Sequence, residues 1–353
     1  MNTEIVKVDE NLIDSDNSHS ALLRAAAIIK SGGLVVFPTE TVYGLGADGT
    51  NPSAAAKIYA AKGRPSDNPL IIHISDPKDA DKYAYTGELY YKLASAFMPG
   101  PLTVVMRAKE SVPTTTRGGL DTVAIRCPVA PIAAKLIELS GVAIAAPSAN
   151  ISGSPSPTVA KHVIDDMLGR VDMIIDGGEC DIGLESTIVK IEDDNTLTLL
   201  RPGKITPEQL SSIASLKMAN AVTDKLKDGE VAVSPGMKYR HYAPAAPLVL
   251  IDGECEEAVE YIISENLHRI AVLCYSGDEE QILKKLPNAE IYVLGDRKDD
   301  AEQAKHLFYL LREADKRKYD KIYAPLPQKS GVGLALYNRL IRAAAHTIIN
   351  LRR

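Results

Sequence analysis

The sequence predicts an α/β protein of two domains: a mixed sheet with helices, followed by a smaller parallel sheet with helices. Three observations predict it. At 353 residues the chain exceeds the size of one typical domain, with ample residues for two cores. Residues 19–205 alternate helix-like and strand-like segments, and after a stretch with little periodicity the alternation resumes at 248. Composition is that of a globular protein, 45% hydrophobic and 24% charged.

In the first domain, "SALLRAAAIIKSGG" has helical spacing and a glycine stop, and "LVVFPT" reads as a buried strand. "NPSAAAKIYAAKGRP" opens a helix with Asn51 as cap and Pro52 at the first helical position. "LIIHIS" follows as a strand, "GELYYKLASAFMPG" as a helix, "LTVVMRA" and "TVAIRCP" as strands, and "APIAAKLIELSG" as a helix. "VAIAAPSAN" and "DMIIDGG" read as strands flanking the helix "TVAKHVIDDMLGR", and "STIVKI" and "TLTLL" as a hairpin around "EDDN". Between residues 206 and 247 the pattern loosens into a linker whose proline-punctuated run "SPGMKYRHYAPAAP" is richer in aromatic and basic residues than a spacer needs. From 248, "LVLID", "IAVLCY", "EIYVLG" and "DKIYAPL" alternate with helical segments, and a long helix starts near 332. Such regular alternation predicts a Rossmann-like parallel sheet. It lacks GxGxxG after its first strand, so dinucleotide binding is unsupported.

Bulk properties exclude several functions. No apolar run reaches the roughly 18 residues of a membrane helix. The first residues carry acidic side chains and no apolar core of a secretory signal, so a cytoplasmic location is expected. Cys127, Cys180, Cys255 and Cys274 form no CxxC pair and have no histidine at ligand spacing, so they read as buried thiols rather than a zinc site. The net charge of −6 argues against nucleic-acid binding through a globally basic surface. A polyanionic substrate must be held by a few local cations. The chain contains no GxxxxGK[ST], GxSxG or HExxH motif.

The stretch "FPTETVYGLGAD" turns polar and glycine-rich where the strand before it ends, which is where open α/β sheets place ligands. Gly44 and Gly46 read as permitting tight turns, Thr39 and Thr41 as offering hydroxyls, and Tyr43 as either a pocket wall or a core aromatic. Other polar clusters repeat the layout. Lys62 and Arg64 in "KGRPSDNPLIIHI" can converge on a phosphate chain, or be a solvated helix end, on a connecting turn that tolerates truncation. His73 in its apolar strand reads, taken singly, as a core histidine. Arg126 ends "TVAIR"; Ser148, Asn150, Ser152, Ser154 and Ser156 follow another strand; Ser186 and Thr187 begin one; Arg201 ends one. Each has a bland reading as turn or surface. Together they fall at strand termini.

In this order, "PTETVYGLGAD", "KGRPSDNPL", "AIRCP", "APSANISGSPSPT", "GLESTIV" and "LLRPGKI" resemble the YrdC-like family of threonylcarbamoyl-adenylate synthases. The linker followed by a Rossmann-like domain resembles the family's long, two-domain form, and the resemblance covers essentially the whole chain. It implies a YrdC-like twisted mixed sheet over 1–205, a linker and active-site lid over 206–247 and the Rossmann-like domain over 248–353. The implied reaction joins L-threonine, bicarbonate or dissolved carbon dioxide, and ATP into L-threonylcarbamoyl-AMP with release of pyrophosphate. That is the first step of threonylcarbamoyladenosine modification of tRNA, feeding a downstream transferase. Mg2+ is expected with ATP, and no residue is assigned to it.

By the same resemblance, Thr41, His73, Arg126 and Ser186 would hold threonine, with Arg126 suited to its carboxylate as a bidentate donor. Lys62, Arg64, Asn68, Thr122, Ser148, Ser156 and Arg201 would line the ATP site. The product is a mixed anhydride that water destroys, so a closing lid has a chemical purpose. Ser234, Arg240, His241 and Tyr242 are the lid candidates. The competing reading is a non-enzymatic RNA-binding module, which the negative charge disfavours. A third, a carbamoyl-transferring maturation factor with a YrdC-like domain, lacks its zinc-finger cysteine pairs and acylphosphatase-like segment.

Overall fold

A computed structural model gives the structure and describes residues 2–224 and 242–352. The chain divides into two compact units, residues 2–152 with 156–224, and residues 242–352 with 153–155.

The first unit runs β1 (Glu4–Lys7), α1 (Asp16–Lys30), β2 (Val35–Phe37), β3 (Gly44–Asp48), α2 (Pro52–Lys62), β4 (Ile71–His73), α3 (Glu88–Phe97), β5 (Leu102–Arg107), β6 (Thr122–Arg126), α4 (Pro131–Ser140), β7 (Ile144–Ala145), α5 (Ala160–Met167), β8 (Met173–Asp176), β9 (Thr187–Asp193), β10 (Thr196–Arg201), α6 (Pro207–Ser211) and β11 (Ser215–Met218). Its strands form an 11-stranded sheet in the order β1-β8-β2-β3-β7-β4-β6-β5-β9-β10-β11. The sheet is mixed: β4 pairs parallel with β6 and antiparallel with β7, and β6 antiparallel with β5. Leu22, Ala25, Ala26 and Ile29 of α1 repeat at helical spacing, so one stripe packs with Leu136 and Ile137 of α4 onto Val35, Phe37, Met173 and Ile175 of the sheet.

The helix α2 begins and ends as its sequence requires. Asn51 Oδ1 accepts from the amides of Ser53 and Ala54, Pro52 opens the first turn, and Gly63 at φ 60° ends it. This stop fixes Lys62 in the last turn, where its side chain turns inward and becomes 1% exposed.

The second unit runs β12 (Leu248–Asp252), α7 (Cys255–Ser264), β13 (Ile270–Tyr275), α8 (Glu279–Lys285), β14 (Glu290–Gly295), α9 (Asp300–Asp315), β15 (Lys321–Pro325), α10 (Gly333–Ala343) and β16 (Ile348–Asn350). Its five strands pair in the order β14-β13-β15-β12-β16, all parallel. The continuous apolar runs of β12 and β13 are what a sheet covered on both faces demands. Val249, Ile251, Val272 and Cys274 pack with Val259 and Ile262 of α7.

The strands not foreseen are β1, β11 and β16, which lie at sheet edges and are largely exposed, and β3, an interior buried strand that reads in the sequence as a glycine-rich turn. An edge strand facing water has no apolar run to betray it. Residues 206–224, read above as the start of a linker, carry α6 and the strand β11, which pairs with β10. "VAIAAPSAN" yields only Ile144–Ala145, because Pro147 has no amide to continue the ladder.

Gly44 and Gly46 are also reassigned: both lie in β3, and neither makes a turn. A Cβ on Gly46 would lie 2.6 Å from Phe37 Cε1 and 2.9 Å from Ile144 Cγ2, so the glycine permits close approach of neighbouring side chains. Gly46→Ala is therefore expected to lower the unfolding free energy by about 1–3 kcal/mol through overpacking, read from the denaturant midpoint at unchanged m-value.

Candidate active site

In-register residues on neighbouring strands leave the same face of a sheet. His73 on β4 lies opposite Arg126 on β6, and Arg126 opposite Thr103 on β5. One face thus carries a histidine, an arginine and a hydroxyl in a row. Arg126 is 4% exposed. Its Nη1 donates to Thr41 Oγ1 at 2.9 Å, its Nη2 to Glu40 Oε1 at 2.6 Å and its Nε to the Gly100 carbonyl at 3.4 Å. Thr41 is presented by a turn that closes on itself: Thr39 Oγ1 donates to the Val42 carbonyl at 2.7 Å and lies 2.8 Å from Thr41 Oγ1. Thr103 Oγ1 lies 2.7 Å from Ser186 Oγ, which accepts from Arg201 Nη2 at 3.1 Å. Thr41, His73, Arg126, Ser186 and Arg201 therefore converge.

A second cluster surrounds Lys62. Its Nζ donates to the carbonyls of Ser148 and Asn150, the latter at 2.5 Å, so the buried ammonium gathers the serine-rich loop. Ser148 Oγ donates to Asn150 Oδ1 at 2.5 Å. Arg64 donates from Nε to the Asn68 carbonyl at 3.2 Å and from Nη2 to the Pro69 carbonyl at 3.0 Å, fixing the turn before β4. Asn68 is 3% exposed, and its Oδ1 has no partner among the described residues. A buried acceptor without a donor calls for one from a ligand. Ser156 donates to Glu185 Oε1 at 2.6 Å.

The remaining candidates fare differently. Thr122 lies on the same face of β6 as Arg126, four residues away, which is about 13 Å along the strand. Lys62 corrects the expectation of a truncation-tolerant turn, because removing a buried ammonium strands two carbonyl acceptors. Tyr43 is a core aromatic: its hydroxyl donates to the Gly178 carbonyl at 2.6 Å, and burial pushes its ionisation far up. Tyr242 is 5% exposed and stacks on Phe308 with centroids 5.1 Å apart, which packs its ring within the second unit. Ser234, Arg240 and His241 lie outside the described residues. Glu40, Thr103 and Glu185 were missed. For Glu40 the signal was present, a carboxylate between two threonines at a strand end. Among the described residues no group of three or more His, Cys, Asp or Glu could hold a metal ion.

Burial, and then the charge of Arg126, push His73 down to about 3, so its imidazole is neutral at physiological pH. Its Nδ1 faces the Ile144 carbonyl at 3.3 Å. A carbonyl only accepts, so Nδ1 carries the proton and Nε2 is the acceptor. Because the folded value lies below the ordinary histidine value, the unfolded chain binds the proton first as pH falls. Stability is then present above about 6.5 and lost on the way down towards 3. Wild type should lose about 2 kcal/mol relative to His73→Gln between pH 7 and 5, measured by denaturant titration at each pH. Lys62→Met should lower the unfolding free energy by roughly 1–3 kcal/mol in the same measurement.

The family model described as telomere recombination matches residues 27–203, and the model described as the threonylcarbamoyl-AMP synthase C-terminal domain matches residues 205–345. The threonylcarbamoyl-AMP synthase of Pyrococcus abyssi is 44% identical over 338 residues, 93% of this chain and 95% of that protein. That of Bacillus subtilis is 42% identical over 341 residues, 93% of this chain and 94% of that protein. The crystal structure of P. abyssi Sua5 complexed with L-threonine matches with a TM-score of 0.88 at 41% identity, covering 99% of this chain and 100% of that one. With both family models in order along the chain and such relatives aligned over almost their full length, the chain belongs to the threonylcarbamoyl-AMP synthase family.

Proposed function

We propose that this protein synthesises L-threonylcarbamoyl-AMP from L-threonine, bicarbonate or dissolved carbon dioxide, and ATP, releasing pyrophosphate, as the first step of threonylcarbamoyladenosine formation in tRNA. The observation that carries this reading is the buried Arg126 guanidinium, bonded to the Thr41 hydroxyl, across the strand pair from Thr103 with its Ser186 partner, and in register with a neutral imidazole. Its geometry suits a small hydroxylated amino acid. The carboxylate pairs with guanidinium N–H groups, and the side-chain hydroxyl finds acceptors in hydroxyl oxygens and His73 Nε2. That a relative of 41% identity was solved with L-threonine supports the assignment.

The chemistry is two bond-making steps. The threonine amine, having lost a proton, attacks carbon dioxide to form an N–C bond and, with a second proton lost, a carbamate. A carbamate oxygen then attacks the α-phosphorus of ATP in line, and the bond to the β-phosphate oxygen breaks. Neither step needs a covalent enzyme intermediate, so the chain's contribution is alignment and charge compensation. Arg126 fixes the carboxylate end of threonine, and neutral His73 adds no competing positive charge beside the amine. Lys62 holds the serine-rich loop at Ser148 and Asn150 while bringing a buried positive charge to the nucleotide side. Asn68 Oδ1 offers its acceptor to an amino or hydroxyl group of the nucleotide. Mg2+, expected with ATP as part of that substrate, would supply neutralisation of phosphate charge, with no residue of this chain assigned to hold it.

The same reading places the protein in the cytoplasm, where ATP and tRNA are available; no helix among the described residues is long and apolar enough to cross a membrane. The test is pyrophosphate release that requires both L-threonine and bicarbonate. Tight tRNA binding with no such release would replace the enzyme by an RNA-binding module. Arg126→Ala should weaken threonine binding by about 2–3 kcal/mol, roughly 30- to 150-fold, with ATP affinity retained. Asn68→Ala should do the reverse, weakening ATP and sparing threonine. Equal loss of both ligands in either variant, by calorimetric titration, would overturn the division of the site.

A further inference from the structure

Arg126 already has a buried carboxylate partner. Both side chains of the Arg126–Glu40 pair are 5% exposed, with Nη2 to Oε1 at 2.6 Å. Among the described residues Glu40 Oε2 is met only by the Ala130 amide, at a long 3.4 Å, and the Glu40 carbonyl accepts from the Ile182 amide. A carboxylate has about four acceptor sites, and three hydrogen bonds leave two of Arg126's five donors. The pair is thus saturated on neither side.

We propose that Glu40 is a specificity-determining residue, which makes the Arg126 site accept a zwitterionic α-amino acid and reject the corresponding carboxylate that lacks the ammonium. This inference rests on the reading that threonine binds at Arg126. The reason is charge balance in a desolvated pocket. Arg126 and Glu40 sum to zero, and the neutral His73 beside them adds nothing. Arg201, bonded to Ser186, and Glu185, its chain neighbour, are one of each sign. A zwitterion brings no net charge: its carboxylate adds to Arg126 while its ammonium adds to Glu40. A monoanion instead brings a second carboxylate to a guanidinium that has one, leaving a net buried charge that desolvation opposes strongly. Arginine without Glu40 would bind any small carboxylate. With it, the site reads both ends of the head group, through a polar group that an incomplete ligand leaves unsatisfied.

The experiment compares the affinities of L-threonine and its 2-hydroxy analogue, 2,3-dihydroxybutanoate of matching configuration, by titration calorimetry on the full chain. Wild type should prefer threonine at least tenfold. Glu40→Gln, which keeps shape and hydrogen bonding but not charge, should shrink that preference at least tenfold, as the analogue gains and threonine loses affinity. Glu40→Asp should restore part of it. An unchanged ratio in Glu40→Gln would overturn the inference. If Glu40→Gln does not fold, wild type alone decides, because equal binding of analogue and threonine also overturns it. Arg126→Gln separates the two layers. Intact threonine binding in that variant sinks the underlying site reading, whereas lost binding there with an unchanged ratio in Glu40→Gln sinks this inference only.

Discussion

A guanidinium buried in the first unit organises the rest of the site. A guanidinium offers five N–H donors and no acceptor, so once buried Arg126 must be surrounded by acceptors. The chain supplies them from two segments remote from it in sequence: the turn after β2 through Glu40 and Thr41, and the loop before β5 through Gly100; Glu40 in turn accepts from the amide of Ala130, just before α4. Those segments are thereby held in one arrangement. A site assembled from strand ends by a single charged hub is rigid before any substrate arrives, which is what a reaction dependent on alignment requires.

Lys62 plays a parallel part for the serine-rich loop. Residues 148–156 contain small polar side chains that would favour several turn conformations by themselves. An ammonium at the end of α2 draws the carbonyls of Ser148 and Asn150 to one point. Its position depends on a helix stop, since Gly63 in the left-handed conformation ends α2 one residue later. Local capping chemistry is therefore linked to the geometry of a loop more than eighty residues away. The glycines of β3 contribute differently, by leaving room for Phe37 and Ile144 beneath the strand that carries the threonine turn.

The second unit is built on a different plan. All of its sheet pairs are parallel, and its inner strands β12 and β13 are near-continuous apolar runs. Tyr242 enters this unit at φ 61°, a conformation that costs a residue with a Cβ about 1–2 kcal/mol. Stacking on Phe308 and the Arg339 guanidinium 5.6 Å from its ring centroid hold it there. The last residue of the basic and aromatic run is thus spent on packing.

Most elements were legible in the sequence because each announces itself within a few residues. The apolar runs of β4, β5, β12 and β13, the Asn51 cap and Gly63 stop of α2, and the alternation after residue 248 are local signals that tertiary structure only confirmed. Through the resemblance, the ordered motifs also name the positions around Arg126 and Lys62 that the fold brings together. What the sequence left out has one physical cause: it concerns groups whose role depends on a partner far along the chain. The edge strands β1, β11 and β16 are strands by virtue of the neighbour they pair with. Gly46 looks like a turn residue until Phe37 and Ile144 are set against it, and Lys62 looks like a solvated helix end until two distant carbonyls surround it. Glu40 stood in plain view beside Thr41. Only folding brought Arg126 to it, and a carboxylate acquires its meaning from the charge it faces.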